Sequence, residues 1–119
     1  MSSGSPWALS IVLRVSLALF FLWLSYKNLS GDRQMAADFQ RWEYSEGFRR
    51  AVGVAQALGG AALLLPQTCF AGALLLCGIL AGAIYTHARF DPVFTALTPA
   101  AFLLPVAALA VLHRPQGWF

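Results

Sequence analysis

The chain has 119 residues, of which 59% are hydrophobic and only 11% charged, with a formal net charge of +3. A soluble domain normally carries about 25% charged residues, so a water-soluble globule of this size would not cover its own surface. The chain has neither a glycine-rich phosphate loop nor a basic helix interleaved with aromatics, which argues against a nucleic-acid partner. Long apolar runs instead predict an all-α protein with the lipid bilayer as its solvent and first partner.

Four apolar runs approach the roughly 20 residues that a helix needs to cross the hydrocarbon core. They cover residues 6–26, 48–65, 69–87 and 93–112. The link at Pro66 is so short that the second and third runs must form an antiparallel hairpin, and Pro99 and Pro105 predict a kink in the fourth. We therefore predict one domain over residues 1–119, a polytopic four-helix transmembrane bundle.

The sizeable polar segment runs from Lys27 to Glu46. Within it Met35, Phe39 and Trp42 recur at spacings of four and three residues, as on one face of a helix. This pattern predicts a short helix between the first two spans, lying in the interface or folding back over the mouth of the bundle. The alternative is an ordinary surface loop with a few apolar residues.

The basic residues predict an orientation. Four spans place both termini on one side of the membrane, and that side has Arg114 and few other charged residues. The opposite side carries Lys27, Arg33, Arg41, Arg49, Arg50 and Arg89. Since cytoplasmic loops are enriched in Lys and Arg, we expect a multi-pass protein of the cell (inner) membrane with both termini outside the cytoplasm.

Two polar residues interrupt the apolar spans. Arg14 lies roughly 12 Å into the first span, where a charge costs about 2.5–3.5 kcal/mol, so we expect it to face the bundle interior or water. The alternative is that it snorkels to the near interface. Gln56 enters from the opposite side to a similar depth and could meet Arg14, or it could simply hold helices together. Because Gln56 cannot neutralise Arg14, a third partner is expected: water, a backbone carbonyl, or an acidic or quinone-like ligand.

The end of the third span is the predicted mouth of a cavity. Tyr85 and Arg89 lie there on the side of Lys27, and Trp42 could join them. His87 could handle protons, or it could cap the end of a helix. No metal is expected, because His87 and His113 lie near opposite faces. Cys69 and Cys77 make no metal spacing, and neither a triad nor a carboxylate pair identifies catalytic residues.

These features resemble the DoxX-like family of small four-helix membrane proteins over about residues 11–114. The resemblance is carried by the R-V-S-L-A-L-F-F-L-W-L-S-Y-K run from Arg14 to Lys27 and by G-V-A-Q-A-L-G-G-A-A-L-L-L-P from Gly53 to Pro66. It also includes the small-residue helix ending at His87 and a final apolar helix ending in Arg114-Pro115. In the family the position of Gln56 is commonly Glu, so this chain lacks a buried carboxylate there.

The resemblance implies a group in which some relatives are membrane subunits of quinone-linked complexes that oxidise sulfur compounds or thiols. It makes Arg14, Lys27, Gln56 and His87 the candidate lining of a quinone or small-acid pocket.

Three hypotheses follow. The first is a non-catalytic membrane subunit or binding protein that holds a quinone or lipid and anchors a membrane or peripheral redox partner. The second is a component of a quinone-linked sulfur or thiol oxidoreductase, and the third is a small-solute transporter. The small residues of the second and third spans, including Gly78 and Gly82, predict close helix packing within one subunit or, alternatively, a homo-oligomer.

Overall fold

The computed structural model describes residues 5–115, and of residues 5–7 it describes the backbone alone. Within this range the chain is all helical, without strands, as predicted. The five α-helices are α1 (Ser5–Ser30), α2 (Arg33–Arg41), α3 (Glu46–Ala62), α4 (Pro66–Phe90) and α5 (Leu97–Leu112), and a 3₁₀ turn (Val93–Ala96) precedes α5.

Three helical stretches of the described chain are long and apolar enough to cross a membrane. They are Ala8–Ser30, Pro66–Phe90 and Val93–Leu112. Helix α3 differs, because it has 17 residues and begins with Glu46, Arg49 and Arg50 among its first five. Its crossing of the membrane, and with it the complete four-helix transmembrane bundle, remains a prediction.

The polar segment forms a helix, as expected, and not an irregular loop. Asp32 caps α2, because its carboxylate accepts a hydrogen bond from the Met35 amide at 3.2 Å. Ser45 caps α3 in the same way, accepting from the Phe48 amide at 3.0 Å. The chain turns sharply on both sides of α2, at Gly31 and at Glu43, which both have positive φ angles. Side chains that cap helix starts satisfy amides that would otherwise lack partners.

Two predicted helix boundaries need correction. The first span was expected to end at Tyr26, but α1 continues to Ser30, because Asn28 turns inward and is buried rather than ending the helix. Pro99 was expected inside the last helix. It lies in the first turn of α5, where a missing N–H costs nothing, so Pro105 is the proline that interrupts the interior.

The helices pack in the order α1, α3, α4, α5, while α1 and α5 approach each other only slightly. The apolar core lies in the half of the bundle that contains the α3–α4 turn and the end of α5, which we call the terminal half. Its fully buried members include Leu63, Leu76, Val106 and Leu109. The opposite half, covered by α2, is called the α2 half, and it contains a cavity.

Candidate functional site

The cavity in the α2 half has a volume of about 810 Å³, within the usual range for small-molecule sites. Helices α1, α3, α4 and α5 form its walls and α2 lies across one end. Most of the wall is apolar. Phe20 of α1 stacks on Phe102 of α5, with the ring centroids 4.3 Å apart and the planes within 3°. This stack closes the wall where α1 and α5 hardly touch.

Polar side chains occupy the part of the cavity nearest α2. Asn28, Gln56, Thr86 and His87 all contribute to the lining. The Asn28 Nδ2 amide donates to Gln56 Oε1 at 2.8 Å, and both side chains are buried. The Asn28 Oδ1 atom is buried without a hydrogen-bond partner among the described residues. An unpaired buried acceptor costs about 1–3 kcal/mol. A ligand that donates a hydrogen bond to Asn28 Oδ1 would therefore be stabilised at this end of the cavity.

Arg49 holds the residues at this polar end of the cavity in place. Its side chain is only 3% exposed, and its guanidinium donates to the backbone carbonyl of Asn28. A second guanidinium nitrogen lies 3.5 Å from the Glu46 carboxylate. From the sequence, Arg49 was interpreted as one of several basic residues that set the membrane orientation. The structure instead shows a buried side chain that fixes the end of α1 against α3.

Asp91 connects α2 to the end of α4. Its Oδ2 atom accepts a hydrogen bond from Trp42 Nε1 at 3.1 Å and pairs with His87 Nδ1 at 2.8 Å, while Oδ1 pairs with Arg41. The Trp42 ring also meets the His87 ring edge to face, with centroids 5.3 Å apart. These contacts between the end of α2 and the end of α4 hold α2 over the mouth of the cavity.

The Asp91 carboxyl is only 9% exposed. Burial by itself raises the pKa of this carboxyl, but the hydrogen bonds from Trp42 and His87 and the charge and hydrogen bond of Arg41 outweigh it. The pKa of Asp91 therefore lies below its ordinary value, and the carboxylate stays ionised at neutral pH.

A second link joins the α2–α3 connection to α4. Tyr44 Oη lies 2.8 Å from Thr86 Oγ1, which is itself 2.8 Å from the backbone carbonyl of Gly82. A hydroxyl has one proton. Since Thr86 donates that proton to Gly82, Tyr44 must be the donor in the first bond. The Thr86 hydroxyl is thus held in a fixed orientation at the cavity wall.

The structure brings only part of the predicted site together. Gln56, His87 and Trp42 line the cavity, whereas Arg14, Lys27, Tyr85 and Arg89 are not among its lining residues. Lys27 lies over the Trp23 ring at 4.5 Å and 3.9 Å from Asp32. The Tyr85 side chain is 58% exposed, and Arg89 is exposed beside Phe90.

The expectation that Arg14 meets Gln56 is wrong. Arg14 is buried, as expected, but Nη1 contacts the Leu64 carbonyl, at 3.5 Å, in the α3–α4 turn. Gln56 pairs with Asn28, roughly 21 Å further along α1 at 1.5 Å per residue. Helix α1 is longer than predicted, and its packing against α3 sets a register that the two separate depths did not reveal.

Sequence reasoning missed Asn28, Tyr44 and Asp91. Asn28 and Asp91 lie just beyond the predicted ends of the first and third spans, at residues 26 and 87, and no functional prediction was attached to them. The spacing of four residues between His87 and Asp91 is the spacing of neighbours on one helix face and could have indicated the pair. Tyr44 carried no recognisable signal, because its partner Thr86 lies on a different helix.

The site can hold a mostly apolar molecule with polar atoms at one end. His87 Nδ1 faces the Asp91 carboxylate, so in the neutral ring Nδ1 carries the proton and Nε2 is left to accept one. Among the described residues, no three His, Cys, Asp or Glu side chains converge in a way that would hold a metal ion. Cys69 and Cys77 are free thiols.

The family model described as the DoxX-like family matches residues 12–110, which is most of the chain. No curated protein and no solved structure matches the sequence.

Proposed function

Because the chain belongs to the DoxX-like family of membrane proteins, we propose that it is an integral membrane protein that binds a quinone-like molecule. The observation that carries the proposal is the cavity of about 810 Å³, with apolar walls and hydrogen-bonding groups at one end. A quinone has the same division, with two carbonyl oxygens on a flat ring and an apolar remainder. A lipid would match the apolar walls, and a small carboxylic acid would match the polar end, but neither would match both parts as well as a quinone does.

Each polar residue has a role in this proposal. Gln56 Nε2 donates a hydrogen bond to a quinone oxygen, while Thr86, whose proton is held by the Gly82 carbonyl, can only accept from a hydroquinone hydroxyl. His87, oriented by Asp91, gives a proton from Nε2 to a quinone oxygen as electrons from the partner reduce the quinone, and takes up a proton again afterwards. The flat ring lies near Phe20 and Phe102, whose stacked geometry suits another aromatic ring. The bound quinone would supply the redox chemistry, and the protein residues bind it and handle its protons.

The proposed membrane arrangement has four crossings, with α3 as the fourth. This helix is about 26 Å long, and it packs between α1 and α4 over its length. The apolar residues 63–65 extend it towards the thickness of a bilayer core. We propose the inner membrane, with α2 on the cytoplasmic side and both termini outside, since exposed basic residues gather on the α2 side. A fluorescent protein that matures only in the cytoplasm, fused to the C-terminus, would contradict this orientation if it became bright.

We also propose a redox partner. A quinone that is reduced in this cavity needs electrons from another protein or from a soluble thiol or sulfur compound. The α2 face is the proposed docking side, because it is next to the polar end of the cavity. If such a partner exists, the protein is a component of an oxidoreductase, and without one it is a quinone-binding subunit.

Titration of the purified protein with a short-chain benzoquinone tests the binding proposal, with quenching of tryptophan fluorescence and protection against thermal unfolding as the readouts. We expect Gln56→Leu to weaken binding about tenfold, the equivalent of one buried hydrogen bond. Replacing His87 by Gln gives a second variant, since Gln56→Leu also leaves the Asn28 amide without its acceptor. Arg89→Gln is the control, because Arg89 is exposed outside the cavity.

Two outcomes would contradict the proposal. One is equal quinone affinity in all four proteins, which would place the ligand elsewhere. The other is stabilisation by phospholipid or fatty acid that a quinone does not match or displace, which would assign the cavity to a lipid.

A further inference from the structure

Among the described residues, the end of the bundle opposite α2 has positive charge and no acidic side chain. The chain has five acidic residues in all. They are Asp32, Asp38, Glu43, Glu46 and Asp91, and every one lies at the α2 end. Arg14 lies in the terminal half, and along α1 the first acidic side chain is Asp32, about 27 Å away. Its charge therefore has no counter-ion within the described protein.

The hydrogen-bonding capacity of Arg14 is also largely unused. The side chain is only 6% exposed. Its one hydrogen bond to the described residues is the contact of Nη1 with the Leu64 carbonyl at 3.5 Å, the limit of such a bond. Nε is buried without any partner among the described residues. A guanidinium has five N–H donors, and a buried charge normally requires an acceptor of opposite charge.

The surroundings of Arg14 favour an anion. The guanidinium lies against the turn that precedes α4, and α4 begins at Pro66 after Leu65, which supplies no side-chain cap. At this helix start Pro66 has no N–H and the Thr68 amide bonds to the Leu65 carbonyl at 3.2 Å, so the Gln67 amide is the free donor beside the partial positive charge of the helix.

Nearby, Ser10 Oγ lies 3.2 Å from His113 Nε2. Ser10 is four residues before Arg14 on α1, so its partner His113 lies beside the same face of the helix. Burial and the charge of Arg14 lower the pKa of His113.

We propose that Arg14, together with Ser10, His113 and the first turn of α4, binds a phosphate group at the membrane face opposite α2. The site is separate from the cavity and does not depend on its ligand. A phosphate offers the planar pairs of oxygen atoms that a guanidinium binds best. The group could belong to the headgroup of a phospholipid or to a small soluble phosphate, and the test separates these two sources.

Binding is measured on the purified protein in neutral detergent with three probes. They are dioctanoyl phosphatidic acid, dioctanoylglycerol (the same lipid without its phosphate) and inorganic phosphate. We expect phosphatidic acid to bind and raise the unfolding temperature, and dioctanoylglycerol to do neither. Arg14→Gln should weaken phosphatidic acid binding at least about tenfold. The control Arg33→Gln removes an equal charge at the α2 end and should have no effect.

A second measurement uses the wild-type protein alone, so it remains informative if Arg14→Gln does not fold. The chain has two histidines, so a ring-labelled sample gives two NMR signals, and His113→Gln identifies one of them. The charged groups beside His113 are Arg14 and the adjacent Arg114. An anion bound among them should raise the pKa of His113 and leave the other histidine unchanged.

The results separate the sources as follows. Binding of phosphatidic acid alone assigns the site to a lipid headgroup, and inorganic phosphate with the same dependence on Arg14 assigns it to a soluble phosphate. The proposal is overturned if Arg14→Gln binds phosphatidic acid as tightly as the wild type does. It is also overturned if dioctanoylglycerol binds equally well, or if no probe moves the His113 signal.

Discussion

In the terminal half of α4, Gly72 lies against the backbone of α3, whereas Gly78 and Gly82, further along the same helix, face open space. A Cβ atom on Gly72 would lie 2.8 Å from the Gly59 carbonyl oxygen and 2.7 Å from the Ala62 Cβ. A Cβ atom on Gly78 or Gly82 would meet nothing within 4 Å. One residue type therefore serves two purposes, close packing in the terminal half and room for the cavity in the α2 half.

The two halves differ in their polar groups as well. In the α2 half the least exposed charged side chains are paired, since Asp91 has three side-chain partners and Arg49 has two acceptors. In the terminal half Arg14 has no acid within reach. The terminal half is therefore well packed but contains a buried Arg14 without a counter-ion among the described residues. The α2 half pairs its least exposed charges but contains a cavity. The predictions below test this contrast.

The largest expected effect is that of Gly72→Ala. The added methyl group would have to displace the backbone of α3, because the Gly59 carbonyl cannot move independently of its helix. Overpacking of this kind costs about 1–3 kcal/mol, and we expect the upper end of that range for the free energy of unfolding. Denaturant unfolding in detergent measures it. Stability equal to that of the wild type would show that α3 and α4 are not tightly packed here.

An intermediate effect is expected of Asp91→Asn, which keeps the side-chain size but removes the charge that Arg41, Trp42 and His87 share. We expect faster amide hydrogen exchange in α2, weaker quinone binding, and little change in global unfolding. The matched control is Asp38→Asn, because Asp38 bonds to Gln34 and Arg41 within α2 itself and does not tie α2 to α4. Unchanged exchange in α2 would show that Asp91 does not hold it.

The same link should respond to pH. The pKa of Asp91 is lower in the folded protein than in the unfolded chain. Its contribution to stability is thus complete above the ordinary aspartate pKa, about 4, and is lost as the pH falls through the lower, folded-state value. Acidification should therefore lower the protection of the α2 amides, measured relative to their intrinsic exchange rates, in the wild type only below about pH 4. The Asp91→Asn protein should lack this response, and an equal response in it would assign the effect to another group.

The smallest expected effect is that of Gly78→Ala. Alanine favours helix over glycine by up to about 1 kcal/mol, and no neighbour opposes the new methyl group, so stability should rise slightly. The methyl group would project into the cavity, and quinone affinity should fall by a few-fold at most. Unfolding and quinone titration of the same sample measure both. A loss of stability comparable to that of Gly72→Ala would mean that a neighbouring helix or a second copy of the chain covers Gly78.

Much of the fold could be predicted from the sequence, because helices that face lipid have long apolar runs of residues. The runs around α1, α4 and α5 and the apolar spacing of Met35, Phe39 and Trp42 needed no knowledge of neighbours. The site was only partly predictable. His87, Gln56 and Trp42 were found as polar or aromatic residues near a predicted mouth. The contacts of Asn28 and Arg14 depend on the register between α1 and α3, which no single helix encodes.

The small-residue pattern shows the same limit. Gly60, Gly72, Gly78 and Gly82 look alike in sequence, and close packing within the subunit was predicted for the set. That prediction is correct for Gly60 and Gly72, and within one subunit it is wrong for Gly78 and Gly82. The difference is decided by which helix stands opposite, and this depends on the tertiary arrangement of four helices.

The Phe20–Phe102 stack bears on the route by which a ligand arrives. Two side chains, rather than two backbones, close the wall between α1 and α5, so rotation of either ring opens a lateral passage into the surrounding hydrocarbon. A bilayer-dissolved molecule could then reach the cavity sideways, without passing through water. Occupancy would follow the concentration of that molecule in the membrane, and its partition coefficient would count for as much as its fit.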